Sequence, residues 1–245
     1  KIAEKISDKT KAIILVHLFG LCADMDAIRA VTPAGVKIIE DAACAAGSSY
    51  NGKWAGGLGD VASFSFHPRK SITTGEGGMV TTNDDALAER MNQMRNHGAT
   101  ISEEQRLNGP RPYILPDFNL LGFNYRMTDL QGAVGVVQLK KLDSFIDERA
   151  KWSAWYREQL SDVEWLRLPE EPENGRHGWQ SFVTVVDPVS APMPRNEIMD
   201  YLQKSGISTR PGTHAVHMLG LYVEKYGLNE NDYPGARDCD ANTMA

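Results

Sequence analysis

The chain has 245 residues, with 26 Lys and Arg against 32 Asp and Glu for a formal net charge of −6, and 42% of its residues are hydrophobic. That composition is globular, too apolar to stay disordered, and at roughly 150 residues per domain it allows one large domain or two modest ones. The acidic excess argues against a nucleic-acid duplex as the main partner, because binding phosphates needs a basic stripe and the sequence has none.

The longest apolar stretch near the start, Ala12 to Val16, is far short of the ~20 residues that span a bilayer, so no membrane helix is expected. Cys22, Cys44 and Cys239 do not form the set of a disulfide framework, and the start lacks a secretory signal. Both features point to a reducing, cytoplasmic compartment. The chain opens on Lys1 and stops at Ala245 without a helix cap or polar tail, as an internal piece of a longer protein would.

Residues 12 to 17 and 36 to 40 are short, β-branched apolar runs that predict strands, and Asp24 to Arg29 between them predicts a helix opened by an acidic residue. A third strand is expected over Val61 to Phe66, before a glycine-rich loop, and a fourth over Met79 to Thr82; Asp84 to His97 then follows a helical pattern. This alternation predicts an α/β sheet with helices on its faces. Residues 98 to 126 hold three prolines and little periodicity, a length that suits a functional or intersubunit segment better than filler. Regularity returns at Thr128, and the helical spacing of Leu139, Leu142, Phe145, Ile146, Trp152, Trp155, Tyr156 and Leu160 is long enough to bridge two domains. After a polar break at 169 to 178, a strand over Ser181 to Asp187, a helix over Arg195 to Ser205 and a strand over Ile207 to Arg210 suggest a smaller α+β domain. The expected organisation is therefore a large α/β domain over 1–135, a linking helix over 136–160 and a small domain over 161–245.

The chemistry concentrates between Glu40 and Gly78. One strand ends in Glu40-Asp41, and another ends just before His67-Pro68-Arg69-Lys70 and Gly75-Glu76-Gly77-Gly78. Ligands of open α/β sheets collect beyond the carboxyl ends of the strands, so Asp41 and Lys70 could meet over one small molecule. A partly desolvated lysine beside Arg69 could act as an amine nucleophile toward a carbonyl; the other reading is a solvated lysine in a basic loop. The glycine run is no P-loop, since no Lys-Ser or Lys-Thr follows it, and it lacks the G-x-G-x-x-G spacing. His214 and His217 are spaced to share a helical face, but no third ligand cluster lies near in sequence, and no metal is assigned.

Glu40-Asp41-Ala42-Ala43-Cys44-Ala45-Ala46-Gly47, Gly59-Asp60, Phe64-Ser65-Phe66-His67-Pro68-Arg69-Lys70 and Thr74-Gly75-Glu76-Gly77-Gly78 together resemble the DegT family of PLP-dependent sugar aminotransferases. The resemblance extends through Arg95-Asn96-His97-Gly98, Gly122 to Asp129, Gln131-Gly132-Ala133 and Gly206-Ile207-Ser208-Thr209-Arg210 with His214 and His217. The lysine segment is similar to that of perosamine-synthase-like enzymes, which aminate C4 of a nucleotide-linked 4-keto-6-deoxysugar. The resemblance implies a fold-type I, aspartate aminotransferase-like architecture, with a mainly parallel large-domain sheet and a smaller α+β C-terminal domain. It also implies pyridoxal phosphate as cofactor, a nucleotide-ketosugar and L-glutamate as substrates in polysaccharide biosynthesis, and a homodimer with shared active sites. Family members carry an N-terminal phosphate cup and ring-stacking aromatic, and a further C-terminal strand and helix. Neither is present here, so this chain by itself is expected to be inactive.

By the same resemblance, Lys70 carries the cofactor and later moves the proton between the donor's α-carbon and the cofactor. Asp41 keeps the pyridine nitrogen protonated, Ala43 is small enough to let the ring lie flat, and Ser65 hydrogen-bonds the phosphate. Asn124 reaches the phosphate of the neighbouring subunit. His67 and Arg126 lie near the cofactor or the substrate carboxylate, and His214 and His217 line the sugar-nucleotide site. Cys44 stands where many relatives carry Gln or His near the cofactor's phenolic oxygen, or is simply a small buried residue. His17 either faces the cofactor or fills the sheet edge. A sugar 3-dehydratase of the same fold would carry histidine in place of Lys70, and a catalytically silent regulatory paralogue is a further alternative.

Overall fold

The computed structural model describes all residues from Lys1 to Ala245. In chain order its elements are β1 (Ala12–Val16), α1 (Met25–Val31), β2 (Lys37–Asp41), β3 (Ser49–Tyr50), β4 (Lys53–Trp54), β5 (Val61–Ser65), β6 (Gly78–Thr82), α2 (Asp85–Arg95), α3 (Glu103–Leu107), α4 (Asp129–Leu139), α5 (Leu142–Gln159), β7 (Leu166–Arg167), β8 (Gly175–Arg176), β9 (Thr184–Val186), α6 (Arg195–Lys204), α7 (Gly220–Tyr226), α8 (Pro234–Asn242) and β10 (Thr243–Met244). They divide into two compact units, Lys1–Ile146 with Glu173–Gln180, and Asp147–Pro172 with Ser181–Ala245.

The first unit is built on a mixed sheet of order β1-β2-β5-β6, in which β1, β2 and β5 run parallel and β6 returns antiparallel to β5. Strand alternation sends Leu15, Ile38, Glu40 and Ala62 to one face, where they are buried with Met25 of α1 and with Ala42, Ala45, Ala55 and Leu58. The other face leaves Ile14 69% and Val16 48% exposed. The helices start where side-chain oxygens satisfy their first amides. Asp24 accepts from Ala27 N, Asp84 accepts from Ala86 N and Leu87 N, and Thr128 with Gln131 forms a capping box at α4.

Three features of this unit depart from the sequence reading or extend it. Asn51-Gly52, both at positive φ (47° and 75°), turns β3 into β4 as an Asn-Gly hairpin, and β8 pairs with β3 from far along the chain. The 98–126 segment contains α3, opened by a Ser102–Gln105 capping box. It also crosses residues 94 to 98 so closely at Gly98 and Gly122 that a side chain on either glycine would run into the other strand's backbone. The helical run expected up to Leu160 is two helices, because the chain turns at Lys140-Lys141, where Lys141 N bonds Gln138 O at 3.0 Å. No Pro or Gly marks that turn in the sequence.

In the second unit β7, β9 and β10 form an antiparallel sheet of order β10-β9-β7, and Leu166, Val186, Met244 and Ile198 of α6 make its core. Arg195 is buried at the start of α6 and donates to Thr243 O at 2.7 Å and Asp240 O at 2.8 Å, tying α6 to the end of the chain. The strand expected over Ile207 to Arg210 does not form. Arg210 exchanges both backbone hydrogen bonds with Ala245, and Pro211 forms an isolated bridge with Met244. Pro211 has no N–H to extend a ladder.

Candidate active site

The three parallel strands end on one side of the sheet, and their last residues divide by parity. Asp41 pairs in register with Ser63, and Ser65 lies two residues on along β5 on the same face. Asp41 is half-buried, its Oδ1 accepts from Ala43 N at 3.1 Å, and the following residue Ala42 is fully buried. Ser65 Oγ accepts from His67 N at 3.3 Å.

The loop from Phe66 to Gly77 is held shut by its own backbone: Phe66 N bonds Gly77 O at 2.9 Å and Thr74 N bonds Phe66 O at 3.0 Å. Thr73 and Thr74 hydroxyls bond Phe66 O and Glu76 O, and Gln131 and Gln138 of α4 hold Glu76 O and Thr73 N. This clamp carries Lys70 back toward β2, where its Nζ lies 3.2 Å from Cys44 Sγ, three residues past Asp41. The structure thus brings the Lys70 amine to the turn that follows Asp41. His67 is on the same loop; its Nδ1 accepts from Arg69 N at 3.1 Å and its Nε2 lies 3.9 Å from Glu76 Oε1.

His17 directly follows the edge strand β1 and shares the buried face of Glu40 rather than the face of Asp41. It is fully buried, its Nδ1 accepts from Ala23 N at 3.1 Å, and its Nε2 donates to Glu40 Oε2 at 2.9 Å. Glu40 also accepts from Gly56, Leu58 and Gly59 N. Burial pushes the Glu40 carboxyl up, and the hydrogen bonds from His17, Gly56 and Gly59 outweigh it, leaving the group below its ordinary value. Cys22, in the same pocket of the core, is pushed up to about 12 by burial and by Glu40. Alternation along a strand could have separated Glu40 from Asp41 in the sequence; the partners of Glu40 could not be read there.

Residues 173 to 180, from the polar break to just before the next expected strand, strap the strand ends together. Gly178 N bonds Gly20 O at 2.8 Å, Gln180 N bonds Phe19 O at 3.0 Å, and Gln180 Nε2 bonds Arg69 O at 3.1 Å, beside Lys70. Phe19 (φ 60°) and Trp179 (φ 45°) both sit in the left-handed region, which bulky residues seldom enter, and such strain concentrates at functional sites. His177 is buried with its ring stacked on Trp179 at 3.9 Å, and burial lowers it to about 4.

The remaining residues lie elsewhere. Asn124 bridges Asn96, and Arg126 Nη1 donates to Asn96 Oδ1 at 2.8 Å; both are exposed and neither hydrogen-bonds Lys70, Asp41 or Ser65. In the second unit His214 is exposed, 3.8 Å from Asp240 Oδ1, whereas His217 is buried against Tyr233 with its Nε2 3.5 Å from Glu230 O.

The profile of the DegT/DnrJ/EryC1/StrS aminotransferase family matches residues 1–245. GDP-perosamine synthase of Caulobacter vibrioides is 39% identical over 247 residues, which cover 100% of this chain and 62% of that protein. The aminotransferase from Psychrobacter cryohalolentis superposes with a TM-score of 0.91 at 28% identity, over 99% of this chain and 65% of that one. Spr1654 of Streptococcus pneumoniae, solved in a PLP form, superposes with a TM-score of 0.86 at 25% identity, over 99% of this chain and 64% of that one. The chain therefore spans less than two thirds of the length of these relatives.

Proposed function

Because the chain belongs to the DegT/DnrJ/EryC1/StrS aminotransferase family, we propose that its protein is a PLP-dependent aminotransferase. It would transfer the amino group of L-glutamate to a nucleotide-linked 4-keto-6-deoxyhexose in polysaccharide biosynthesis. The observation that carries this reading is the convergence at the strand ends: Lys70 Nζ reaches Cys44, just beyond Asp41, on the side of the sheet where Ser65 also stands. An amine, a carboxylate and a hydroxyl so arranged fit pyridoxal phosphate, and Ala43 beside them presents only a methyl group.

When bound, the cofactor supplies an electron sink for the carbanion formed on the amino donor. The protein's part falls to named groups. Lys70 would hold the cofactor and move the proton of the donor's α-carbon; Asp41 would keep a proton on the ring nitrogen; Ser65 would donate to the phosphate. His67 and Arg126 are assigned to the cofactor's surroundings or the substrate carboxylate, and His214 and His217 to the sugar-nucleotide side.

We further assign the protein a cytoplasmic homodimer of fold-type I arrangement, with Asn124 reaching the cofactor phosphate of a second copy. In support, Leu115, Leu121, Leu130 and Leu139 are 77%, 87%, 82% and 60% exposed, apolar side chains that a second copy would cover. No helix is long and apolar enough to cross a membrane.

The test is to incubate the full-length protein with pyridoxal phosphate, L-glutamate and a panel of nucleotide-linked ketosugars. Mass spectrometry should show one sugar gaining an amino group in place of its keto oxygen, with 2-oxoglutarate formed in equal amount. No amination across the panel, together with no cofactor fixed on Lys70 by borohydride, would overturn the reading.

A further inference from the structure

We propose that Cys44 and Lys70 are a covalent redox pair: a peroxide joins them through a sulfur–nitrogen bond that takes the lysine amine out of use. The pairing rests on geometry alone, and its consequence for turnover rests on the role given to Lys70 above.

The two side chains meet at 3.2 Å, and the sulfur is the one side-chain partner of the Lys70 amine, which pairs with no carboxylate. Both residues are half-buried, so a small oxidant can enter. The loop clamp between Phe66, Thr74 and Gly77 holds the lysine in place, and Cys44 sits in the turn just after β2, where Ala45 N bonds Ala42 O. The other cysteines differ. Cys22 is buried and kept protonated, with its value at about 12, and Cys239 is exposed with no amine bonded to its sulfur.

The steps balance with the peroxide as the only added reactant. The sulfur of Cys44 attacks one peroxide oxygen; the S–O bond forms, the O–O bond breaks, and water leaves. Sulfur is oxidised by two electrons to the sulfenic acid, and the peroxide is reduced. The Lys70 nitrogen then attacks that sulfur with its lone pair. The N–S bond forms, the S–O bond breaks, and a second water leaves with the amine proton. A lysine's flexible four-carbon stem allows the approach. A thiol reductant reverses the product by attacking sulfur: the N–S bond breaks, the amine recovers its proton, and a second thiol releases the cysteine.

The experiment treats the full-length protein, stripped of cofactor, with hydrogen peroxide. The intact mass should fall by two hydrogen atoms, digestion should yield one species joining the Cys44 and Lys70 peptides, and dithiothreitol should restore both. Cys44→Ser and Lys70→Met, each checked by thermal melting against the parent, should lose the joined species. Recovery of Cys44 as sulfinic acid with Lys70 unmodified, or of Cys44 still reduced after Cys239 is oxidised, would overturn the proposal. Preloading with pyridoxal phosphate should abolish the joined species. If the species instead forms equally with the cofactor present, the redox pair stands and the role given to Lys70 falls.

Discussion

Glu40 and Asp41 are consecutive residues of β2 that serve opposite sides of the sheet. Glu40 is fully buried and accepts hydrogen bonds from His17, Gly56, Leu58 and Gly59, while Asp41 stands half-buried on the other face in register with Ser63. His17 N also donates to Asp41 O at 3.0 Å, so one histidine fixes both neighbours, one through its ring and one through its backbone. The buried carboxylate fastens the loop after β4 to the strand end that presents the candidate ring-nitrogen partner.

Glu40→Leu should therefore be severely destabilising. It leaves three backbone amides and the His17 ring without their acceptor, at about 1 to 3 kcal/mol for each buried group, so a loss above about 3 kcal/mol is expected in chemical denaturation. Glu40→Gln, which keeps the shape and one of the two acceptor oxygens, should lose less. The native carboxyl lies below its ordinary value, so its contribution is present above the unfolded carboxylate range and fades as pH falls through the folded value. The gap between parent and Glu40→Gln should accordingly narrow on acidification below about pH 4. A Glu40→Leu protein as stable as the parent would show that the network contributes nothing.

The strands of the main sheet were legible because strands buried on one or both faces read as short runs rich in apolar and β-branched residues, and β1, β2, β5 and the antiparallel β6 fall within a residue or two of their expected bounds. The Asn51-Gly52 hairpin was legible in principle, since that dipeptide is a strong turn signal, but two-residue strands leave no periodicity to accompany it. The strap at 173 to 180 was not legible. Its hydrogen bonds to Phe19, Gly20 and Arg69 join residues more than a hundred positions apart, and nothing local encodes them. The approach of Lys70 to Cys44 likewise emerges only once the loop is clamped on α4.

Lys70→Ala and Lys70→Arg should both abolish amine transfer in the full-length protein. Alanine has no nucleophile, and a guanidinium is permanently protonated and cannot bind a carbonyl carbon covalently. Lys70 pairs with no carboxylate and gives up one hydrogen bond to Cys44, so without cofactor the unfolding free energy should move by no more than about 1 kcal/mol. Steady-state 2-oxoglutarate formation and a denaturation curve check both halves. Turnover by either variant would remove Lys70 from its assigned role.

Asp41→Asn should bind pyridoxal phosphate yet lose most of its activity, because a neutral amide cannot keep a proton on the ring nitrogen. Its side-chain oxygen can still accept from Ala43 N, so the turn after β2 is preserved. Cofactor binding is read by absorbance and turnover by product mass. A near-normal rate would mean that another acid partners the ring.

His177 gives the sharpest pH signature outside the strand ends. It is 4% exposed, its Nδ1 accepts from Trp179 N at 2.9 Å, and its ring lies flat on the Trp179 ring, 3.9 Å away at 3°. Burial lowers it from 6.5 to about 4, so the folded protein keeps the ring neutral where the unfolded chain protonates it. The sign follows: between pH 6.5 and about 4 the unfolded state binds more protons, and stability falls as pH falls across that window; below it both states are protonated and the loss stops. At about 1.4 kcal/mol per pH unit the full loss is about 3 kcal/mol. His177→Phe keeps an aromatic ring for the stack but binds no proton, and it gives up the acceptor for Trp179 N. It should therefore start less stable than the parent at pH 8 by about 1 to 3 kcal/mol and lose correspondingly less on acidification. Urea unfolding of parent and variant at pH 8, 6.5, 5 and 4 should show the two curves converging as the pH is lowered. Parallel curves would mean that the imidazole is not held neutral by the fold.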